Sequence, residues 1–107
     1  MKLVCPRCKN TVQEAKFGEK CPEDGTFLID EGSFAETQGD PLIGTLVGDE
    51  FALVGLLGSG GFGSVYRGIQ FPIGRMVALK ILHGHASRQE SVRRRFLREA
   101  KALAQLS

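Results

Sequence analysis

The hydrophobic rhythm of the chain changes along its length. In residues 1–31 apolar side chains are scattered, in residues 51–82 they alternate with small or polar ones, and beyond residue 88 they recur every three or four positions. A period of two marks a strand with one buried face, and a period near 3.6 marks a helix with one buried stripe. The run "FALVGLLG" therefore predicts a strand over about 50–57, after a Gly-punctuated stretch from Leu42 that reads as short strands and turns. In "SVYRGIQF", Val65, Arg67 and Ile69 alternate against Tyr66 and Gly68, which predicts a second strand. In "MVALKIL", Val77, Leu79 and Ile81 fall on one side and Ala78, Lys80 and Leu82 on the other, which predicts a third. The turn signal "PIGR" between the last two predicts an antiparallel hairpin around residues 72–75. Val92, Phe96, Glu99, Ala100, Leu103 and Leu106 share one helical stripe, while Arg93, Arg94, Arg98 and Lys101 project elsewhere. An amphipathic helix beginning near Ser87 or Arg88 is expected.

Charge and composition divide the chain further. Residues 1–31 are nearly balanced, residues 32–50 hold four acids and no base, and residues 51–107 hold nine bases against two acids. The formal net charge of +2 thus conceals a strongly basic C-terminal part. "GSFAETQGD" is polar and without period, so residues 32–41 are expected to link a unit at 1–31 to a second at 42–107. The first unit offers only Leu3, Val4, Val12, Phe17, Phe27, Leu28 and Ile29 for burial. So few side chains rarely hold a domain without a staple.

The cysteines suggest what that staple is. Cys5, Cys8 and Cys21 are odd in number and clustered, which excludes a complete disulfide framework and favours a reducing compartment and a metal site. Cys5-x2-Cys8 and Cys21-x2-Asp24 each sit on a tight Cys-Pro turn, which brings two donors to one ion. Tetrahedral zinc suits thiolates at this spacing, and an aspartate oxygen is a permitted, harder fourth ligand. The alternatives are three cysteines with water, or a lost site. Closed by protein ligands, such a site is structural and not hydrolytic. There is no signal-peptide core and no apolar run long enough for a bilayer, so a soluble cytoplasmic protein is expected. The run "RRRFLR" reads as the solvated face of the helix, with docking to a phosphorylated segment or partner as the next choice. No aromatic interleaving supports base stacking, so no nucleic-acid partner is expected. His83 and His85 read as loop residues.

Gly58, Gly60 and Gly63 spell G-x-G-x-x-G, which both dinucleotide-binding folds and protein kinases use. The dinucleotide pattern needs a helix after the third glycine and an acid about 20 residues later. Here a strand former follows, and Lys80 stands near the place of the acid. The order Gly58-Ser59-Gly60-Gly61-Phe62-Gly63-Ser64-Val65, then Val77-Ala78-Leu79-Lys80, then "RFLREAKAL" with Glu99, resembles the start of a protein kinase domain. The resemblance covers residues 42–107 and is to bacterial serine/threonine kinases of the eukaryotic type. N-terminal "CPxC" and "CPxDG" ribbons also look like those preceding some such domains, although a fourth cysteine usually stands where Asp24 does.

The resemblance implies an α+β fold: a small zinc-ribbon-like β unit followed by a partial kinase N-lobe. It implies that the glycine loop, with Phe62 at its tip, folds over ATP, that Leu57, Val65 and Ala78 surround the adenine, and that Lys80 contacts the phosphates and is held by Glu99. Glu99 shares the apolar helical stripe, so it needs a cation, which independently favours Lys80. Protein substrates and Mg²⁺ are implied for a complete kinase. The H-R-D catalytic loop and the D-F-G metal ligand do not occur in the 107 residues, so catalysis by this chain alone is not expected. The alternative is a non-catalytic zinc-ribbon interaction protein carrying a relic lobe.

Overall fold

The computed structural model describes residues 1–60, 63–82 and 101–105. Its described part is mostly antiparallel strand with one short helix, in the order β1 (Leu3–Val4), β2 (Thr11–Val12), α1 (Glu31–Glu36), β3 (Leu46–Val47), β4 (Phe51–Gly60), β5 (Gly63–Gln70), β6 (Arg75–Leu82) and β7 (Lys101–Gln105). Strands β3 to β7 form one sheet in sequence order with every neighbouring pair antiparallel. β1 and β2 form a separate two-stranded ribbon, extended by bridges from Val4 to Ile29 and from Lys20 to Phe27.

The alternation in "SVYRGIQF" and "MVALKIL" becomes an uninterrupted ladder from Gly63↔Leu82 to Gln70↔Arg75. Tyr66, Leu79, Val77 and Ile81 are buried, as one-sided alternation requires. β4 pairs with β5 less regularly, with register shifts between Leu53 and Gly55 and between Leu56 and Gly58. Each extra residue twists the strand. Leu57 stands at the second shift and is 52% exposed, the one large apolar residue of β4 turned to solvent.

Two hydrophobic clusters meet at the ribbon. Leu3, Cys5, Ala15, Cys21 and Leu28 form a small one. Val4, Phe27 and Ile29 instead join Ile43, Leu53, Val54, Tyr66, Ile69 and Leu79 of the sheet in the larger one. Adjacent residues therefore face opposite ways, Leu3 and Leu28 inward and Val4 and Ile29 toward the sheet. β1 and the 27–29 segment are thus buried on both faces, and the five-stranded sheet covers one of them. Burial of an aliphatic side chain contributes roughly 1.5–3 kcal/mol, so the three ribbon side chains in the larger core matter to both parts.

One expectation is corrected, and the segment expected to link the two units holds a short helix. Lys101–Gln105, the C-terminal part of the expected helix, is strand β7, paired with β6 from Lys80↔Lys101 to Val77↔Gln105. Lys-Ala-Leu-Ala-Gln is a good helix-forming sequence, but β6 otherwise presents an open row of backbone donors and acceptors, and pairing satisfies them. The rest of that expected helix, with Glu99, lies outside the described residues. The segment read as a linker begins with α1, capped by Asp30, whose side chain accepts from the Ser33 amide. Ser33 and Thr37 are buried, and the Thr37 hydroxyl donates to the Ser33 carbonyl at 2.6 Å. Gly32 and Ser33 are poor helix formers, and the cap with its tertiary contacts outweighs them.

Candidate functional site

Two knuckles with the same backbone pattern build the first site. The Cys5 amide donates to the Asn10 carbonyl, and the Lys9 amide returns to the Cys5 carbonyl at 2.9 Å. In the second, the Cys21 amide donates to Thr26 and the Gly25 amide returns to Cys21, also at 2.9 Å. Each turn closes on a residue in the left-handed region, Lys9 at φ 68° and Gly25 at φ 77°. The repetition puts Asp24 where Cys8 stands in the first knuckle.

The donor atoms of Cys5, Cys8, Cys21 and Asp24 all lie within 4.8 Å of one another. The Cys8 and Cys21 sulfurs are 3.6 Å apart, and Cys5 Sγ is 3.5 Å from both Asp24 oxygens. Around a tetrahedral zinc, ligand atoms are separated by about 3.5–3.8 Å, given the usual bond lengths. The Cys8–Cys21 and Cys5–Asp24 pairs match that spacing and the whole set lies within 4.8 Å, so the four donors are grouped closely enough to converge on one metal ion. The metal-free protonation pattern is uneven. Burial pushes the Cys5 thiol up to about 11, against the lowering effect of amides from Cys8 and Arg7. A backbone hydrogen bond from Asn10 lowers Cys8, and the Thr26 amide, donating at 2.9 Å, lowers Asp24.

The second site is a row across the sheet. Gly58 opposes Val65, and Val65 opposes Lys80, so three of the expected nucleotide residues stand side by side on three strands. Directly opposed residues share a face. Ala78, two residues before Lys80, shares it and opposes Arg67, which opposes Gly55 in the next row. Lys80 is exposed and Ala78 is buried. Ser59 and Ser64 face each other with hydroxyls 3.2 Å apart, and Gly60 opposes Gly63 at the tip. Gly61, Phe62 and Glu99 lie outside the described residues.

Gly58 and Gly60 are informative because the protein itself does not require them. Neither has a positive φ, and among the described residues a Cβ built on either meets no atom within 4 Å. Glycine inside a strand costs about 0.5–1 kcal/mol relative to alanine. Neither packing nor backbone conformation offsets that cost here. What the missing side chains leave is open space over the β4–β5 hairpin.

Sequence reasoning missed the contact that ties this face to α1. Arg67 reaches Asp30 Oδ1 at 2.6 Å and the Ser33 hydroxyl at 2.9 Å, with its guanidinium 5.3 Å from the Phe17 ring centre. A Cβ on Gly55 would come within 3.1 Å of both Arg67 and Ser33, so glycine there does serve packing. Burial acts to raise the Asp30 carboxyl, but the Ser33 hydroxyl and amide together with Arg67 hold it below the usual range. The signal was present in Asp30 followed by Glu31, a cap and an acidic first turn.

Comparison with known proteins gives the chain bacterial serine/threonine-protein kinases among its relatives. It is 47% identical over 64 residues to the DNA damage-responsive serine/threonine-protein kinase RqkA of Deinococcus radiodurans, covering 60% of this chain and 9% of that protein. It is 45% identical over 64 residues to the serine/threonine-protein kinase Pkn1 of Myxococcus xanthus, again 60% of this chain and 9% of the relative. Against the serine/threonine-protein kinase PksC of Streptomyces coelicolor the identity is 42% over 62 residues, 58% of this chain and 11% of the relative. The chain thus spans about a tenth of the curated relatives it matches. No protein-family model matches the chain. No solved structure matches it either. Among the described residues, no helix is long and apolar enough to cross a membrane.

Proposed function

We propose that this chain is the N-terminal part of a serine/threonine protein kinase, with the upper half of an ATP site at residues 42–107 and a zinc-stapled ribbon at residues 1–31, joined through residues 32–41. The observation that carries this reading is the row Gly58, Val65 and Lys80, beside glycines whose open space no described residue fills. The similarity to bacterial serine/threonine-protein kinases supports it. ATP, when bound with Mg²⁺, supplies the γ-phosphoryl group that a kinase passes in line to a protein hydroxyl.

The chain's own residues hold and orient. Gly58, Ser59, Gly60, Gly61, Phe62, Gly63 and Ser64 let the backbone approach the phosphates, since a side chain there would hold it away. Leu57, Val65 and Ala78 give the adenine an apolar wall, and the exposure of Leu57 leaves it free for that contact. Lys80 binds the phosphates and Glu99 holds Lys80. The catalytic base and the Mg²⁺ ligands belong to the H-R-D and D-F-G motifs of a longer protein. Cys5, Cys8, Cys21 and Asp24 hold a structural zinc, and free thiols suit a reducing cytoplasm.

The test is made on the longer protein that this reading requires. Replacing Lys80→Ala should lower kcat on the order of 10²-fold or more while the protein stays folded. An active protein indifferent to that change would reject the site. Purified 107-residue chain should transfer no phosphate, and should contain one equivalent of zinc by elemental analysis.

A further inference from the structure

A groove of about 640 Å³ lies beside the knuckles, away from the Gly58–Val65–Lys80 row. Its floor touches the buried core residues Phe27 and Ile43, and Leu46, 43% exposed, stands on β3 at the edge of the sheet. Arg7, Lys9 and Lys20, all exposed, line it too. Two carboxylates also line it, but each is already engaged. Asp40 accepts from the Tyr66 hydroxyl at 2.6 Å and the Leu42 amide at 2.9 Å. Asp24 accepts from the Thr26 amide and faces the Cys5 thiol. The cations are in the opposite position. Among the described residues none of the three has a carboxylate within ion-pair distance, and Lys20 rests 5.3 Å over the Phe27 ring centre. The groove thus offers uncommitted positive charge beside an exposed leucine at a sheet edge.

We propose that this groove is a docking site for an extended acidic peptide segment of a partner protein, with carboxylates meeting Arg7, Lys9 and Lys20 and an apolar side chain lying against the exposed Leu46. Charge complementarity selects the occupant. The exposed leucine and the edge strand favour a peptide over a bare anion, because side chains of both kinds must be accommodated at once. Single-stranded nucleic acid is disfavoured by the two carboxylates in the lining and by the lack of an exposed aromatic platform among the described lining residues. The surface is independent of the nucleotide reading.

The probe is a fluorescent peptide with a central phenylalanine flanked by glutamates, titrated into the zinc-supplemented 107-residue chain at low salt. Its binding should weaken about tenfold in the triple variant Arg7→Glu, Lys9→Glu, Lys20→Glu and fall steeply as salt is raised, because exposed charges are screened. Leu46→Ser should weaken it several-fold, and Lys16→Glu, outside the groove, should leave it unchanged. The same peptide with glutamine for glutamate should bind at least about tenfold more weakly.

Zinc content and melting temperature of each variant separate docking from a structural role, since Arg7, Lys9 and Lys20 neighbour the ligand positions. Loss of zinc in parallel with loss of peptide binding would mean that the cations serve the metal, and would overturn the proposal. No binding, equal binding of the glutamine peptide, or tighter binding of a thymidine oligonucleotide would overturn it as well.

Discussion

Gly58 and Gly60 differ from Gly44 in what their missing side chains accomplish. A Cβ on Gly44 would collide with the Thr26 methyl and the Pro6 ring, and its φ of +87° is strained for any L-residue. Gly44→Ala should therefore cost about 2–4 kcal/mol, from the left-handed backbone and the overpacking together. Chemical denaturation of the variant checks this, and a change under about 0.5 kcal/mol would contradict the packing described. Gly58→Ala and Gly60→Ala should go the other way, each neutral or stabilising by up to about 1 kcal/mol. In the kinase proposed above the same substitutions should weaken ATP affinity, and that opposition of signs separates a ligand-shaped position from a packing one. Destabilisation of the isolated chain by either substitution would instead make the glycine structural. At this scale the sequence was informative for the glycine motif, because its neighbours Val65 and Lys80 could be placed by alternation. It was uninformative for Gly44, whose constraint comes from Pro6 and Thr26, far away along the chain.

Helix α1 has six residues, too few to persist in water without help. Its stability comes from Asp30, which caps it and pairs with Arg67 on β5. Both side chains are about 30% exposed, which limits the ion pair by solvent screening. Asp30→Asn keeps the capping geometry and loses the charge, and should cost about 1 kcal/mol near neutral pH. The folded Asp30 titrates below the 3.8 of a free carboxyl, so its stabilisation is complete above that value. It is lost as pH falls through the lower folded value. The difference between wild type and Asp30→Asn should accordingly shrink in acid, and a gap that persists would mean that the charge is not its cause.

The elements that local pattern could specify were legible: the three long strands follow their alternation, and the Pro-Gly turn follows its residues. α1 and β7 were not, because each depends on a partner remote in sequence. Arg67 stabilises the one, and the open edge of β6 recruits the other.

The two units of the sequence are one body in their packing. Val4, Phe27 and Ile29 leave the ribbon to join the sheet core, while Leu3, Cys5 and Leu28 on alternate positions close around the knuckles. The grouping of Cys5, Cys8, Cys21 and Asp24 was readable from their spacing, but nothing local announced that the opposite face of the ribbon is covered by the sheet. This arrangement couples the metal to the strands. On the proposed reading zinc would restrain both knuckles, which adjoin β1 and the 27–29 segment, and those supply three side chains to the core beneath β4 and β5. Chelation should then destabilise the whole chain by several kcal/mol, since metal-binding energy in small sites is largely folding energy. Hydrogen exchange would resolve the extent. Amides of Leu53, Val54 and Tyr66, which lie on β4 and β5 and not in the knuckles, should lose protection when zinc is removed. Unchanged protection there, with loss confined to the ribbon, would show instead that the lobe is stable without it. Phe27→Ala, which removes a ring shared between the ribbon and Phe71 at 5.7 Å, should reproduce that decoupling with zinc still bound.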